Sequence, residues 1–187
     1  MTRYDRQRWD RRYSDPTEHV QREGPDALLV RHTPPAAPGA RALELACGLG
    51  RNAIWLAEQG YTVDAFDISL SALRQAREAM LARGLRGVNF VVADLDHYAL
   101  PDREYDLVCV FRFLDRALLP AIRNRVRPGG VLIYQTLNTG HLVRHPETNR
   151  DQLLQRGELP ERFPGWTVLE AVDLEHISLF AARKPRD

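Results

Sequence analysis

The stretch Ala42-Leu43-Glu44-Leu45-Ala46-Cys47-Gly48-Leu49-Gly50-Arg51-Asn52 constrains this chain most, because a carboxylate stands at a fixed distance downstream of it. Asp67 lies nineteen residues beyond Gly48, at the end of the segment Val63-Asp64-Ala65-Phe66. The order reads as a buried strand, a glycine turn, a helix, a second strand and a carboxylate. Gly48 and Gly50 permit a tight turn and a close approach of a ligand to the backbone. A helix beginning near Arg51 directs free N–H groups into that turn. Asp67, at the neighbouring strand end, can accept hydrogen bonds from the two hydroxyls of a ribose.

The glycine spacing alone is shared by two kinds of crevice. Gly48-x-Gly50-x-x-Ala53 also satisfies the dinucleotide fingerprint, whose last glycine can be alanine. Glu44, four residues before the turn, argues otherwise. Its carboxylate would repel a pyrophosphate and attract a cation such as a sulfonium or an α-ammonium group. Asp94 closes the run Val88-Asn89-Phe90-Val91-Val92-Ala93 and can accept a hydrogen bond from an adenine amino group. Carboxylates at three successive strand ends suit an adenosine that carries positive charge and no phosphate.

The rest of the chain alternates strands with helices. Strands are expected near 41–46, 61–66, 88–93, 105–110 and 131–136, with helices near 51–59, 70–83 and 115–126. Ser69 or Ser71 can cap the second of these helices and Gly84 can end it, while Pro128-Gly129-Gly130 closes the third. This pattern implies a parallel sheet wound on both faces. Trp166 to Val172 and His176 to Arg183 read as two strands joined by a short turn, so the last strand is reversed. Residues 1–33 form a polar arm of one or two short helices, and 34–39 (Pro-Pro-Ala-Ala-Pro-Gly) a stiff connector. Residues 40–187 then form the core of a single domain spanning 1–187.

Composition narrows the function classes. A chain of 187 residues with 44% hydrophobic and 27% charged content is long enough for one substantial core. A net charge of +1 exerts no global pull on nucleic acid or membranes. No apolar run approaches the roughly 20 residues of a membrane span, and the first residues contain no apolar signal core. A cytoplasmic location is expected. Cys47 and Cys109 form no zinc pattern and read as buried thiols, and no metal site is expected.

On these residues the chain resembles the class I S-adenosylmethionine-dependent methyltransferases, and among them the small tellurite-resistance-type enzymes. The resemblance takes in Trp9-Asp10-Arg11-Arg12-Tyr13, the loop from Glu44 to Asn52, and the run Gln59 to Ser69. It continues through Asp94-Leu95, Tyr105-Asp106-Leu107-Val108, Arg127-Pro128-Gly129-Gly130-Val131-Leu132-Ile133 and the stretch Leu179 to Lys184. It implies a Rossmann-like α/β domain with a mostly parallel seven-stranded sheet, an antiparallel last strand and helices on both faces. It also implies S-adenosyl-L-methionine as cofactor and S-adenosyl-L-homocysteine as product. The cofactor-binding positions it implies are Trp9, Tyr13, Glu44, Ala46, Cys47, Gly48, Gly50, Asn52, Asp67, Ile68, Asp94, Leu95, Val110 and Phe111. In the tellurite-type proteins the pair matching Arg51-Asn52 lies beside the methionine part of the cofactor. Their final hairpin is longer than Val172-Asp173-Leu174-Glu175 allows in this chain.

Each position also has a bland reading. Trp9 and Tyr13, four apart, share one helix face and either pack on the core or close over the methionine. Arg112, after the fourth strand, is either a surface arginine or a fixed cation for an anionic acceptor. His141 and His145 lack the glutamate of a metalloprotease helix and are candidates for lining the acceptor pocket. The chain lacks the Asn/Asp-Pro-Pro-aromatic turn of base amino methyltransferases. Cys109 follows Val108, not the proline of a Pro-Cys nucleophile, so methylation of DNA bases is disfavoured. The expected reaction is methyl transfer to a small molecule, a thiol or a chalcogen oxyanion such as tellurite or selenite. Arg112, Tyr13 and His141 are the expected catalytic residues. The alternatives are an NAD(P)-dependent oxidoreductase and a non-catalytic S-adenosylmethionine-binding module. The expected partner is the small-molecule acceptor, with membrane and nucleic acid disfavoured, and the protein is expected as a monomer or homodimer.

Overall fold

The computed structural model describes residues 3–15 and 24–186. Among these, the strands are β1 (Arg41–Leu45), β2 (Thr62–Asp67), β3 (Val88–Val92), β4 (Tyr105–Phe111), β5 (Val126–Leu137), β6 (Thr167–Asp173) and β7 (Ile177–Arg183). They form a seven-stranded sheet in the order β3-β2-β1-β4-β5-β7-β6. β1, β2 and β3 pair in parallel, as do β4 and β5, whereas β7 runs antiparallel to both β5 and β6. The helices are α1 (Arg3–Ser14), α2 (Ala27–His32), α3 (Arg51–Glu58), α4 (Leu70–Ala82), α5 (Leu119–Arg125) and α6 (Glu158–Arg162). The mostly parallel sheet with a reversed last strand is the architecture expected from the sequence. Among the described residues, no helix is long and apolar enough to cross a membrane.

The chain divides into two compact units, one from the described residues of 1–26 and 35–101, the other from 27–34 and 102–187. In the first unit, β1 buries Ala42, Leu43 and Leu45 completely. α4 turns Ala72, Leu73, Ala76 and Met80 inward at helical spacing, so one stripe of the helix covers the sheet. Ser69 caps it, its Oγ accepting from the N–H of Ala72 at 3.1 Å. Gly84, at φ +68°, ends the segment in a left-handed turn, which a residue with a Cβ would resist.

In the second unit, β5 and β7 carry the core, with Tyr134, Phe180 and Ala181 fully or almost fully buried. Phe163 stacks on Phe180 with ring centres 5.7 Å apart and meets Trp166 at 5.1 Å. The helix expected over 115–126 is shorter and split. A 3-10 turn covers Arg116–Leu118 and α5 begins only at Leu119, with Pro120 in its first turn, where a missing N–H does no harm. The strand expected from 131 begins at Val126 instead. Pro128-Gly129-Gly130 does not break it, because Gly129 N–H donates to Lys184 O (3.0 Å) and Lys184 N–H to Gly130 O (2.9 Å). Arg116 straps the long β5–β6 connection. It donates to both oxygens of buried Glu158 at 2.7 and 2.8 Å and to the carbonyls of Asp151 and Leu153.

Candidate functional site

The glycine turn of the first unit is built by two glycines with different duties. A Cβ on Gly50 would come within 2.9 Å of Ala76 Cβ on α4 and of Phe90 on β3, so this glycine serves the packing of the unit. A Cβ on Gly48 would instead lie 2.6 Å from the Tyr13 hydroxyl. Gly48 therefore lies directly beneath the phenol of Tyr13 on α1, with no room for a side chain between them. Ala46 carries φ +55°, a left-handed backbone that a non-glycine residue adopts only under constraint.

Glu44 projects from β1 into the interior, 1% exposed. Asn52 Nδ2 donates to its Oε1 at 3.0 Å, and Asn52 Oδ1 accepts from the N–H of Asp26 at 2.8 Å. Oε2 of Glu44 is buried with no hydrogen-bond partner among the described residues. Burial pushes the carboxyl up to about 8, against the opposing pull of its Asn52 and Ala53 hydrogen bonds and of Arg51. At neutral pH the ligand-free protein thus holds a proton here much of the time.

Asp67 ends β2, as expected, and is already engaged. Gly48 N–H donates to its Oδ2 at 2.7 Å and Ser69 N–H to its Oδ1 at 2.9 Å. The carboxylate offers about four acceptor sites, more than the backbone N–H groups of Gly48, Ser69 and Ile68 occupy. Burial raises its proton affinity, opposed by these backbone donors. Asp94 and Leu95 follow β3; Leu95 is buried, and Asp94 Oδ1 accepts from Asp96 N–H at 3.2 Å, closing a small turn. Ala93 N–H donates to Asp67 O at 2.9 Å, tying that turn to the end of β2. Ile68 and Cys47 are buried beside these groups, and Cys47 and Cys109 are buried thiols outside any disulfide among the described residues.

α1 is latched over the turn through Asp10, whose role the sequence did not reveal. Asp10 Oδ1 accepts from Ser69 Oγ at 2.7 Å and from Ser71 N–H at 3.1 Å. A side chain from another helix thereby completes the N-terminal cap of α4. Gln75 Nε2 donates to Tyr13 O at 2.7 Å. Trp9 stacks on Tyr13 with ring centres 5.9 Å apart, and the guanidinium of Arg12 lies 5.3 Å from the Trp9 ring centre. Burial, then the nearby Asp67 and Cys47, holds the Tyr13 phenol protonated well above its ordinary range. In this setting the hydroxyl is a hydrogen-bond donor and a poor base.

The second unit holds the remaining expected residues. Val110 and Phe111 are buried at the end of β4. Arg112, the next residue, is exposed with φ +57°, and its N–H donates to Gln135 O at 2.7 Å. His141 lies in the 3-10 turn Thr139–Val143 after β5. Burial, the rings of His145 and His176, and Arg112 all lower its proton affinity, leaving a neutral imidazole able to accept a proton. His176, just before β7, had no signal in the sequence, being a lone histidine before an alternating strand. Among the described residues no group of three or more His, Cys, Asp or Glu side chains is arranged to hold a metal ion.

Known proteins resemble this chain in sequence and in fold. The family described as "Methyltransferase domain" matches residues 42–130. A malonyl-[acyl-carrier protein] O-methyltransferase of Enterobacter lignolyticus is 33% identical over 174 residues, which are 90% of this chain and 59% of that protein. This chain spans about half the length of the malonyl-[acyl-carrier protein] O-methyltransferases it matches. The N-methyltransferase NodS of Bradyrhizobium japonicum, in complex with S-adenosylhomocysteine, superposes with a TM-score of 0.75 over 96% of this chain and 98% of that one, at 16% identity. TehB of Haemophilus influenzae superposes with a TM-score of 0.68 over 78% of this chain and 58% of its own, at 19% identity. The chain thus carries the Rossmann-like fold of the class I S-adenosylmethionine-dependent methyltransferases, with residues 42–130 matching their methyltransferase-domain family.

Proposed function

We propose that this protein transfers a methyl group from S-adenosyl-L-methionine to a small acceptor that presents an anionic or soft nucleophile. The observation that carries the reading is the buried, unpartnered Oε2 of Glu44 beneath the glycine turn. An unsatisfied buried carboxyl oxygen is costly, and a ligand ammonium group would satisfy it, whereas a pyrophosphate would not. The residues of the turn fit this cofactor. Gly48 carries no Cβ between the backbone and the Tyr13 phenol, Asp67 would accept from a ribose, Asp94 would receive an adenine amino group, and Trp9 with Tyr13 would cover the methionine end. Ala46, Cys47, Asn52, Ile68 and Leu95 would complete its walls.

The cofactor supplies an activated methyl: the nucleophile attacks the methyl carbon, the carbon–sulfur bond breaks, and the electron pair remains on sulfur. The chain's task is to align, to exclude water and to avoid neutralising the nucleophile. Alignment of this kind contributes about 7–11 kcal/mol. Arg112 would orient an anionic acceptor. Tyr13 would donate a hydrogen bond, and His141 would accept a proton where the acceptor is a hydroxyl or thiol. The acceptor class includes thiols and chalcogen oxyanions such as tellurite or selenite. The likeness to relatives named as O-methyltransferases adds carboxylates and hydroxyls. We infer action on a free small molecule, without membrane or nucleic-acid partners, by a cytoplasmic monomer or homodimer.

A screen with methyl-labelled S-adenosylmethionine against thiols, tellurite and selenite, small carboxylates, phenols and bulk RNA tests this. Label should pass to a small acceptor. Transfer confined to RNA would contradict the acceptor class, and cofactor binding with no transfer to any class would favour the non-catalytic binding module.

A further inference from the structure

A chain of polar contacts runs from Gly24 at the surface to Glu44 in the interior of the first unit. Asp26 N–H donates to Asn52 Oδ1 at 2.8 Å, and Asn52 Nδ2 donates to Glu44 Oε1 at 3.0 Å. Arg51, the neighbour of Asn52 on α3, braces the outer end. Its Nη1 donates to Gly24 O at 3.1 Å, and its guanidinium lies 3.6 Å from the Asp26 carboxylate. At the inner end both Asn52 and Glu44 are buried.

The two hydrogen bonds leave the Asn52 amide one orientation. The N–H of Asp26 requires an oxygen opposite it, so the NH2 group faces Glu44. Flipping the amide would set two donors against each other at Asp26. As an anchor for residues 24–26 alone, a carboxylate or a hydroxyl would serve as well. The amide adds a second, uncharged donor, and that donor is spent on Glu44.

The effect on Glu44 follows from which oxygen is taken. Oε1 is occupied as an acceptor, whereas Oε2 has no partner among the described residues. A proton held by the buried carboxyl belongs on Oε2, since Oε1 faces the NH2 group, and Oε2 is also the atom left for a cation. Proton and cation thus compete for one oxygen. Each neighbouring element bears on that competition. Arg51 and the N–H of Ala53 on α3 favour the charged carboxylate, Asp67 on β2 opposes it, and the phenol of Tyr13 on α1 is held neutral beside it.

We propose that Asn52 is a positioning residue, which holds Oε1 of Glu44 and thereby reserves Oε2 for the α-ammonium group of S-adenosylmethionine. The assignment rests on the methyltransferase reading. Asn52 acts on the charge of the cofactor through Glu44.

The test is a double-mutant cycle on the full chain. Calorimetry at pH 7 gives the affinity for S-adenosylhomocysteine, which carries the same ammonium group, in the wild type, Asn52→Leu, Glu44→Gln and the double variant. Asn52→Leu should weaken binding roughly 5- to 30-fold. In the Glu44→Gln background the same change should weaken it less than about threefold. An equal loss in both backgrounds would overturn the proposal, because Asn52 would then act without Glu44. A second readout needs no ligand: the pH titration of the Glu44 carboxyl carbon by ¹³C NMR, identified by its absence in Glu44→Gln. Loss of the donor should move the midpoint up by about one pH unit, a tenfold change in proton affinity. Loosened packing that admitted water would move it down instead. Asn52→Val, smaller and equally unable to donate, gives the same readouts where Asn52→Leu does not fold. A midpoint that stays in place or falls would overturn the positioning role. Failure of S-adenosylhomocysteine to bind the wild type would refute the methyltransferase reading, and the ligand-free titration would still decide whether Asn52 governs Glu44.

Discussion

Glu44 and Asp67 are both carboxylates at strand ends, yet their surroundings give them opposite tasks. Glu44 is fully buried, and burial outweighs its Asn52 and Ala53 hydrogen bonds, raising its proton affinity to about 8, above the ordinary 4.5. The folded protein therefore holds a proton that the unfolded chain releases as pH passes 4.5. Stability from this group is fully present below about 4.5 and is lost progressively up to about 8. We expect the ligand-free melting temperature to fall across that window, and Glu44→Gln to flatten the fall. An unchanged pH profile in the variant would show that Glu44 does not carry the proton. Asp67, by contrast, holds two backbone N–H groups in place. Asp67→Ala strands both donors, so it should cost roughly 2–4 kcal/mol of stability in denaturant unfolding without ligand, besides weakening the cofactor. The place of this carboxylate at the end of β2 was legible in the sequence. The structural role was not, because hydrogen bonds to the backbone of residues 48 and 69 leave no mark on residue spacing.

At the level of elements, Asp10 makes two of the hydrogen bonds that seat α1 on the start of α4, beside the Gln75–Tyr13 and Ser14–Ser71 contacts. Asp10 caps α4 from outside, so Asp10→Ala should cost about 0.5–2 kcal/mol and speed amide exchange across residues 5–14. Saturation with S-adenosylhomocysteine should restore much of the protection if Trp9 and Tyr13 cover the methionine. Exchange unchanged by the substitution would mean that the latch is incidental. The motif Trp9-Asp10-Arg11-Arg12-Tyr13 drew attention to the aromatics, and the aspartate between them passed unnoticed since a capping partner sixty residues away has no local signature. Strand positions were legible because buried parallel strands are continuous apolar runs. The start of β5 was not. Pro128-Gly129-Gly130 reads as a stop, and only pairing with the residues after β7 keeps it extended. The Arg116–Glu158 strap was equally invisible, since 42 residues separate its ends. Residues 16–23, part of the expected arm, lie outside the described residues.

For the whole molecule, the glycine turn is the point at which two functions diverge. The spacing of Gly48, Gly50 and Ala53 would serve a dinucleotide as well as a methyl donor, and fold alone does not choose between them. The choice rests on a buried carboxyl group where a pyrophosphate would lie, and on a reversed β7 that the dinucleotide fold lacks. The claim therefore reduces to which adenosine ligand the protein prefers. Isothermal titration calorimetry of the full chain against S-adenosylhomocysteine and NAD, in buffers of different ionisation enthalpy near pH 7.5, tests it most directly. The account predicts that S-adenosylhomocysteine binds at least about tenfold more tightly, a difference of about 1.4 kcal/mol. Its binding should release protons as Glu44 ionises, and Glu44→Gln should abolish that release. NAD binding as tight as S-adenosylhomocysteine, or tighter, would contradict it.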